Sequence, residues 1–283
     1  MKHNPHLEQK IAFFFLFLAT LFIVVPVGLI VVIIIQKGLP AINWQFLSDI
    51  PRQGMRAGGI FPAIVGTFYL VLGAIIFALP IGLLAAIYLS EYSKDNFLTR
   101  IIKLAIVNLA GVPSVVYGLF GLALFVVFFR FGASILSGSL TLGIMILPII
   151  ITTSREALES VPQSFREVSL SLGASKWQTI RHIVLPNAIP GILTGTILGL
   201  GRAAGETAPI LFTVAAFYLP QLPKSIFDQA MALPYHLYVI STQVPNVDEK
   251  VRYGTALVLL ALVLFINLIA IIIRYQFRKK KKW

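Results

Sequence analysis

The stretch TSREALESVPQSFREVSLSLGASKWQTIRHIVLP, residues 153–186, is amphipathic and charged, and it lies between two long apolar segments. The whole chain is 58% hydrophobic and only 12% charged, with a mean hydropathy of +0.89. A helix needs roughly 20 apolar residues to cross the hydrocarbon layer of a bilayer. Six runs meet that length or come close to it: 12–35, 60–89, 101–129, 134–152, 188–218 and 254–273. The sequence therefore predicts an all-α membrane protein with six transmembrane helices, since the alternating pattern of a membrane β-barrel is absent.

The distribution of basic residues predicts the orientation. With the N-terminus inside, the 23 Lys and Arg residues divide into 15 on the cytoplasmic side and 7 on the opposite side, and Arg202 lies within a span. Both termini and residues 153–186 are then cytoplasmic. The basic residues after the last span, among them Lys279, fit an anchor on anionic lipid better than a nucleic-acid site, because no stacking aromatics accompany them.

Several classes of function are disfavoured by what the sequence lacks. It has no cysteine, its four histidines lack ligand spacing, and no Gly-x-x-x-x-Gly-Lys-Ser/Thr motif occurs. We therefore predict no metal site, no catalytic residue and no cofactor bound by this chain. An intramembrane enzyme would need a nucleophile with a base, or paired carboxylates, and only Glu206 is clearly within a span.

Two short helices are predicted within residues 153–186. Ser164 and Glu167 form a capping box, so that a helix should begin at Phe165. Gly173 supplies a left-handed stop. Ser175 and Gln178 form a second box.

The same segment carries two apolar faces. Phe165, Val168 and Leu172 recur at helical spacing, as do Trp177, Ile180 and Val184, and Pro186 should end the second helix. An interfacial helix on lipid and a protein-docking element explain this pattern equally well.

A resemblance favours docking. Three features are similar to the "EAA" loop of ABC importer permeases: Glu167, Gly173 and the closing sequence Ile183-Val184-Leu185-Pro186. Val168 and Ser169 stand in place of the two alanines of that loop. The resemblance implies a type I (MetI-like) permease fold in which glycine-hinged cytoplasmic coupling helices enter a cleft of an ATPase. The residues it assigns to ATPase coupling are Ser164, Glu167, Gly173, Ala174, Ser175, Trp177, Ile183, Leu185 and Pro186.

Two further stretches narrow the resemblance. GGIFPAIVGT (58–67) and GRAAGETAP (201–209) resemble the PstA family of phosphate importer permeases. That likeness implies a bacterial inner-membrane subunit paired with a PstC-like second permease, two ATPase subunits that use ATP-Mg, and an external phosphate-binding protein. It divides the chain into an anchor helix with an external loop (1–59) and a permease core (60–283). Importers of sulfate, molybdate or phosphonate, and a non-transporting scaffold that docks a cytoplasmic partner, remain alternatives.

The fifth span carries the predicted translocation-path or gating residues Arg202, Glu206 and Thr207. Glycines at 191, 195 and 199, and again at 201 and 205, should let another helix approach closely, and helical geometry turns Arg202 and Glu206 toward that side. Arg202 lies roughly 21 Å from the cytoplasmic end of the span, where a charge costs at least about 2.5 kcal/mol. The pair either serves transport, with the guanidinium able to bind phosphate oxygens through two hydrogen bonds, or neutralises itself as a structural unit.

Two external segments could receive a binding protein. They are residues 36–59, with Trp44, and residues 219–253, with Tyr235-His236-Leu237-Tyr238. Anchoring of these aromatic residues at the membrane interface explains them as well.

Overall fold

A computed structural model describes residues 5–279, with the side chains of residues 9–277 and 279. Apart from an antiparallel hairpin of β1 (Pro51–Arg52) and β2 (Ala57–Gly58), its regular elements are helical. Lys2 and Lys280–Lys282, which enter the predicted charge asymmetry, lie outside the described residues. The α-helices are α1 (Pro5–Gly38), α2 (Trp44–Ser48), α3 (Phe61–Ile87), α4 (Phe97–Ala110), α5 (Ser114–Gly121), α6 (Ile135–Glu159), α7 (Gln163–Ser171), α8 (Lys176–Thr179), α9 (Leu185–Gly205), α10 (Ala208–Thr213), α11 (Leu233–Thr242) and α12 (Glu249–Lys279).

Five of the predicted spans are single helical runs long and apolar enough to cross a membrane. They cover Gln9–Ala41, Phe61–Tyr92, Ile135–Glu159, Lys176–Gly205 and Glu249–Phe277. The membrane class is therefore confirmed, and five of the six predicted spans contain such a run.

The third predicted span, residues 101–129, is not one straight helix. It consists of Phe97–Ala110 and Ser114–Phe128, which meet at an angle of 103°. Pro113 has no N–H to continue the ladder and disfavours helical geometry at Val112. The Tyr117 hydroxyl donates to the carbonyl of Leu109 at 2.7 Å across the bend and so holds it.

The predicted fifth span, residues 188–218, is also interrupted. α9 ends at Gly205, Glu206 is extended (φ −77°, ψ 136°), and α10 begins with Ala208 and Pro209. Proline fits the first turn of a new helix, where its missing N–H has no partner to lose. The prediction that Arg202 and Glu206 share one helix is therefore wrong.

The core of the membrane region is formed by α3, α6 and α9. A Cβ on Gly191 would overlap Ala157 of α6, and one on Gly195 would overlap Thr153, so these two glycines confirm the predicted close approach. Gly199 has ordinary van der Waals contacts with α6. The second predicted pair is not one packing face, because Gly201 lies against Asn267 of α12 and Gly205 faces open space.

The end of the fold opposite residues 160–184 is closed by α11. This helix carries Tyr235 and His236, which the sequence placed in an external aromatic segment, and both are buried. The backbone N–H of Leu233 donates to the Thr67 hydroxyl of α3 at 2.8 Å, which fixes the helix against the core. Burial lowers the pKa of His236 to about 4, so its imidazole is neutral at neutral pH. Trp44, in contrast, is exposed.

Candidate functional site

The charged loop is shorter than the sequence predicted. α6 continues through Arg155 to Glu159, seven residues past the predicted end of the span at 152. Ala157 and Leu158 are buried on this extension, and Arg155 and Glu159 add an i,i+4 ion pair at 3.4 Å, so packing supports helical structure in a polar stretch. The loop proper therefore comprises residues 160–184.

The first capping box is not present. α7 begins at Gln163 after Pro162, so Ser164 lies in the first helical turn and no side chain caps the helix. Pro162 is fixed at φ −56° with an extended ψ of 137°, which starts the helix one residue before Ser164. The predicted start at Phe165 is corrected accordingly.

The stop and the second box are confirmed. Gly173 has φ +84°, a left-handed conformation that glycine adopts without the steric cost of a Cβ. The Ser175 hydroxyl accepts from the Gln178 backbone N–H at 3.3 Å, and the Gln178 side chain accepts from the Ser175 N–H at 2.7 Å. The bend between the two loop helices, at Gly173 and Ala174, is therefore fixed by the left-handed glycine on one side and the capped helix on the other.

The second loop helix does not end at Pro186. A π-helical segment, Ile180–Val184, follows α8 and leads directly into α9, in which Leu185 and Pro186 occupy the first turn. Pro186 has no N–H to donate, and it lies just after the π-helical segment, where the regular α-helical hydrogen bonding is already interrupted. α8 is thus continuous with the membrane span, and Ile183 and Leu185 are half-buried in the continuous segment.

Each of the two predicted apolar faces of the loop is split, because Phe165 packs partly buried against the same cluster as Ile180 and Val184, whereas the other members point outward. Ile180 and Val184 are fully buried against the ends of α3 and α6. Leu172 and Val168 are 83% and 60% exposed, and Trp177 is half exposed, so these three side chains do not contribute to the core. The outward face also carries exposed Glu167 and Gln178.

An ion pair that sequence reasoning missed fixes α7 to the end of α3. Arg166 donates to Glu91 Oε1 from Nη2 at 2.7 Å and to both carboxylate oxygens from Nε at 3.3 Å. The same guanidinium donates to the carbonyls of Leu158 at 2.8 Å and Val161 at 2.6 Å. The side chains of Arg166 and Glu91 are only 12% and 8% exposed, and loss of either partner of such a buried pair costs about 3–5 kcal/mol.

A second contact joins the loop to the same segment, the π-helical turn Tyr88–Tyr92 that continues α3. The Lys176 ammonium lies 4.9 Å from the ring centre of Tyr92, within the range of a cation–π interaction. Ser169 and Thr179 hydroxyls share a hydrogen bond of 2.9 Å between the two loop helices. A cavity of about 480 Å³ lies between the loop and α3, lined in part by Glu91, Arg166 and Lys176.

The intramembrane pair lies at the interruption after α9. Arg202 Nε donates to Glu206 Oε1 at 3.4 Å, and the two side chains are 32% and 19% exposed. Thr207, also half-buried, completes the two-residue link between α9 and α10. In the part of the chain that the structure describes, the Arg202 guanidinium makes no second hydrogen bond, so its remaining N–H groups are available to an anion.

The bent helix pair borders this link. A Cβ on Gly118 of α5 would lie 2.8–3.0 Å from Phe212, Ala208 and Pro209 of α10, so the two short helices pack backbone to backbone. The predicted path residues thus meet at the junction of two interrupted spans, and the prolines and glycines around them were the only sequence signal of that junction.

The loop and the charged pair are joined by one helix. From Leu185 to Arg202, α9 rises roughly 26 Å at 1.5 Å per residue. No turn lies between the loop and Arg202 along this helical run.

Comparison with known proteins gives concordant matches. The sequence signature of a "Binding-protein-dependent transport system inner membrane component" matches residues 78–283. The chain is 32% identical over 261 residues to the probable ABC transporter permease protein YqgI of Bacillus subtilis, covering 87% of this chain and 88% of that protein. It is 32% identical over 283 residues to the phosphate transport system permease protein PstA 1 of Mycobacterium tuberculosis, covering 98% and 90%. The probable phosphate transport system permease protein PstA of Methanocaldococcus jannaschii is 33% identical, covering 92% and 91%.

Solved structures match at the level of the fold. A chain of the inward-facing MetNI methionine ABC transporter aligns with a TM-score of 0.59 at 17% identity, covering 77% of this chain and 94% of that chain. A chain of a bacterial ABC transporter involved in the import of the acidic polysaccharide alginate aligns with a TM-score of 0.63 at 15% identity, covering 98% and 100%. The predicted MetI-like permease fold is therefore confirmed.

Proposed function

The chain belongs to the binding-protein-dependent inner-membrane permeases of ABC importers, and within that family we propose that it is the permease subunit of an inorganic phosphate importer. It is a multi-pass inner-membrane component and not the ATPase of the system. The proposal concerns its substrate, its partners and the residues of its path.

Arg202 is the observation that carries the assignment to an oxyanion. Its guanidinium lies in a membrane-spanning helix, has one long hydrogen bond to Glu206, and is one-third exposed. A single bond of this kind does not offset the cost of a charge at that depth, and a tetrahedral oxyanion would supply the missing acceptors in bidentate geometry. Relatives named as phosphate permeases, aligned over nearly the whole chain, favour phosphate among the oxyanions.

Glu206 and Thr207 act with Arg202 in this proposal. Glu206 accepts from the guanidinium Nε and leaves the other N–H groups to bind the anion, while the hydroxyl of Thr207, next to Glu206 in the chain, can supply a neutral donor and acceptor. Because these residues occupy the link between α9 and α10, rotation of either helix changes the site and can gate it.

The exposed face of the loop is the proposed ATPase contact. Val168, Leu172 and Trp177 present apolar area at the end of rigid helices, and Glu167 adds an acceptor beside them. Ser175 and Gly173 shape the joint between the helices rather than contacting the partner. Two ATPase subunits that hydrolyse ATP-Mg, a PstC-like second permease and an external phosphate-binding protein complete the proposed assembly, in which both termini and this loop are cytoplasmic.

Uptake in the assembled transporter tests the function. Vesicles containing this chain and its co-expressed partners should accumulate labelled phosphate when supplied with ATP, and unlabelled phosphate should compete better than sulfate or molybdate. Arg202→Gln should lower phosphate uptake by about a hundredfold, since the proposed bidentate contact supplies two charge-assisted hydrogen bonds to the anion, each of about 1.5–3 kcal/mol. Thr20, at an exposed position on α1, gives the matched control Thr20→Val, with unchanged uptake.

Three outcomes would contradict the proposal. Preferential competition by another oxyanion, with the same dependence on Arg202, would make the chain a permease for that anion, in keeping with the relative described only as an ABC transporter permease. Uptake unaffected by both Arg202→Gln and Glu206→Gln would refute the path role. Docking of an ATPase without any oxyanion uptake would favour a non-transporting scaffold.

A further inference from the structure

We propose that Glu91 and Arg166 form a mechanical link through which α3 moves together with the coupling loop. This inference rests on the proposed function only in that the loop contacts an ATPase. It assigns both residues a positioning role, since neither contacts the Arg202 site.

The geometry makes Arg166 a junction of three elements. Its guanidinium binds the Glu91 carboxylate beyond α3, the Leu158 carbonyl in the last turn of α6, and the Val161 carbonyl before α7. The last carbonyls of a helix lack intrahelical partners and carry a partial negative charge. A buried cation at that position donates hydrogen bonds to carbonyls and interacts favourably with the charge. The three groups to which Arg166 donates are thus a carboxylate and two carbonyls.

The orientation of neighbouring residues separates this link from the ATPase surface. Glu167 follows Arg166 in the chain and is exposed, whereas Arg166 is turned inward. Adjacent residues of α7 therefore point in opposite directions. Glu167 faces outward, toward the proposed ATPase surface, and Arg166 is bound to the membrane core.

A second, independent contact reaches the same turn of α3. Lys176 of α8 lies over the Tyr92 ring, next to Glu91 in sequence, so both loop helices are fastened to the π-helical segment Tyr88–Tyr92. π-helical turns have poorer hydrogen-bond geometry than α-helix and occur frequently at functional sites. The loop is joined covalently to α6 and α9, and this contact adds α3 as a third helix.

α3 extends the effect across the membrane. The run Phe61–Tyr92 begins beside the opposite end of the fold, where the Ile60 N–H donates to the Phe46 carbonyl at 2.9 Å. A rigid helix held at the loop by a buried ion pair transmits a displacement to that end, whereas an exposed ion pair would not hold it.

Coupling between ATP hydrolysis and uptake gives the first test. In the complete transporter, purified so that only assembled complexes are measured, Glu91→Gln and Arg166→Gln should retain ATP hydrolysis but lower the oxyanion taken up per ATP by about tenfold. The double variant should be no worse than either single variant, because the two residues act as one unit. Asp95→Asn and Arg100→Gln, which remove the fully exposed ion pair after the same segment, are matched controls and should leave the ratio unchanged.

An unchanged ratio of uptake to ATP hydrolysis in both variants, including a fall of both activities in equal proportion, would overturn the link. If the neutral variants do not assemble, Arg166→Lys takes their place: it keeps a charge beside Glu91 but loses the planar fork to the two carbonyls, and a lowered ratio is again expected.

A distance measurement tests the link without reference to the substrate. Because the chain has no cysteine, spin labels can be placed at Tyr88→Cys and Ser171→Cys, both exposed. Their separation should be the same in resting and nucleotide-trapped transporter and should change between these states in the Glu91→Gln background. A separation that changes in the otherwise unaltered protein would refute the link, and this result is independent of whether phosphate is the substrate.

Discussion

At the scale of single residues, one missing methyl group determines how closely α9 approaches α6. A Cβ on Gly195 would overlap both Oγ1 and Cβ of Thr153, whose hydroxyl already donates to the Ile149 carbonyl at 2.7 Å. Gly205, ten residues further along the same helix, has nothing within 4 Å of that position.

Gly195→Ala should therefore destabilise the protein by about 1–3 kcal/mol through overpacking. Gly205→Ala should have no cost, or stabilise by up to about 1 kcal/mol, because alanine is the better helix former. Denaturation of the purified protein by increasing SDS in mixed micelles measures both changes. Equal effects of the two substitutions would show that helix propensity, and not interhelical contact, limits this seam.

The residues of the site differ in how visible they are in the sequence. Arg202 and Glu206 were predicted as a pair because an intramembrane charge is conspicuous against apolar neighbours, and they do meet. Arg166 and Glu91 are separated by 75 positions and each lies in a polar segment, where charged residues are ordinary. Only the fold reveals that their side chains are buried together.

At the scale of elements, the two predicted capping boxes give opposite results. Ser175 caps α8 with the full reciprocal pair of hydrogen bonds, whereas Ser164 lies inside α7 and caps nothing. Ser175→Ala should therefore destabilise the loop by about 1 kcal/mol, the usual value of a lost N-cap.

Ser164→Ala is the matched control, with an expected effect within about 0.5 kcal/mol for an exposed helical position. Amide hydrogen exchange over residues 174–184 of the purified protein measures the difference, since loss of the cap should speed exchange locally. Faster exchange in Ser164→Ala than in Ser175→Ala would contradict the structural assignment of the caps.

Helix existence was predictable and helix continuity was not. Hydropathy detects apolar length, which bent and straight helices share, so the interruptions at Val112 and Glu206 gave no hydropathy signal. Proline alone does not mark them either, because Pro26, Pro80 and Pro148 lie inside uninterrupted helices. Neighbouring helices re-satisfy the backbone at some prolines and not at others, which is a property of tertiary packing.

At the scale of the whole molecule, the described side chains divide into a packed core and a broad apolar exterior. The most apolar windows of α1 and α12 contain no buried residue, while two-thirds of the corresponding window of α6 is buried. α1 packs along α12, and at the end opposite the loop Lys37 pairs with Glu249 at 2.7 Å. Apolar surface of this extent requires lipid or another membrane subunit around it.

The two polar ends of the molecule make its orientation testable. Leu172 in the loop and Trp44 at the opposite end are 83% and 82% exposed, so a cysteine at either position is accessible in a chain without native cysteines. The excess of Lys and Arg on the loop side predicts that this side is cytoplasmic. A membrane-impermeant maleimide applied to intact spheroplasts should label Trp44→Cys and leave Leu172→Cys unlabelled until the membrane is permeabilised.

In inverted vesicles, co-expressed ATPase should lower labelling of Leu172→Cys, because that side chain belongs to the proposed docking face. Labelling of Leu172→Cys from outside would reverse the orientation and, with it, the assignment of the loop to a cytoplasmic ATPase.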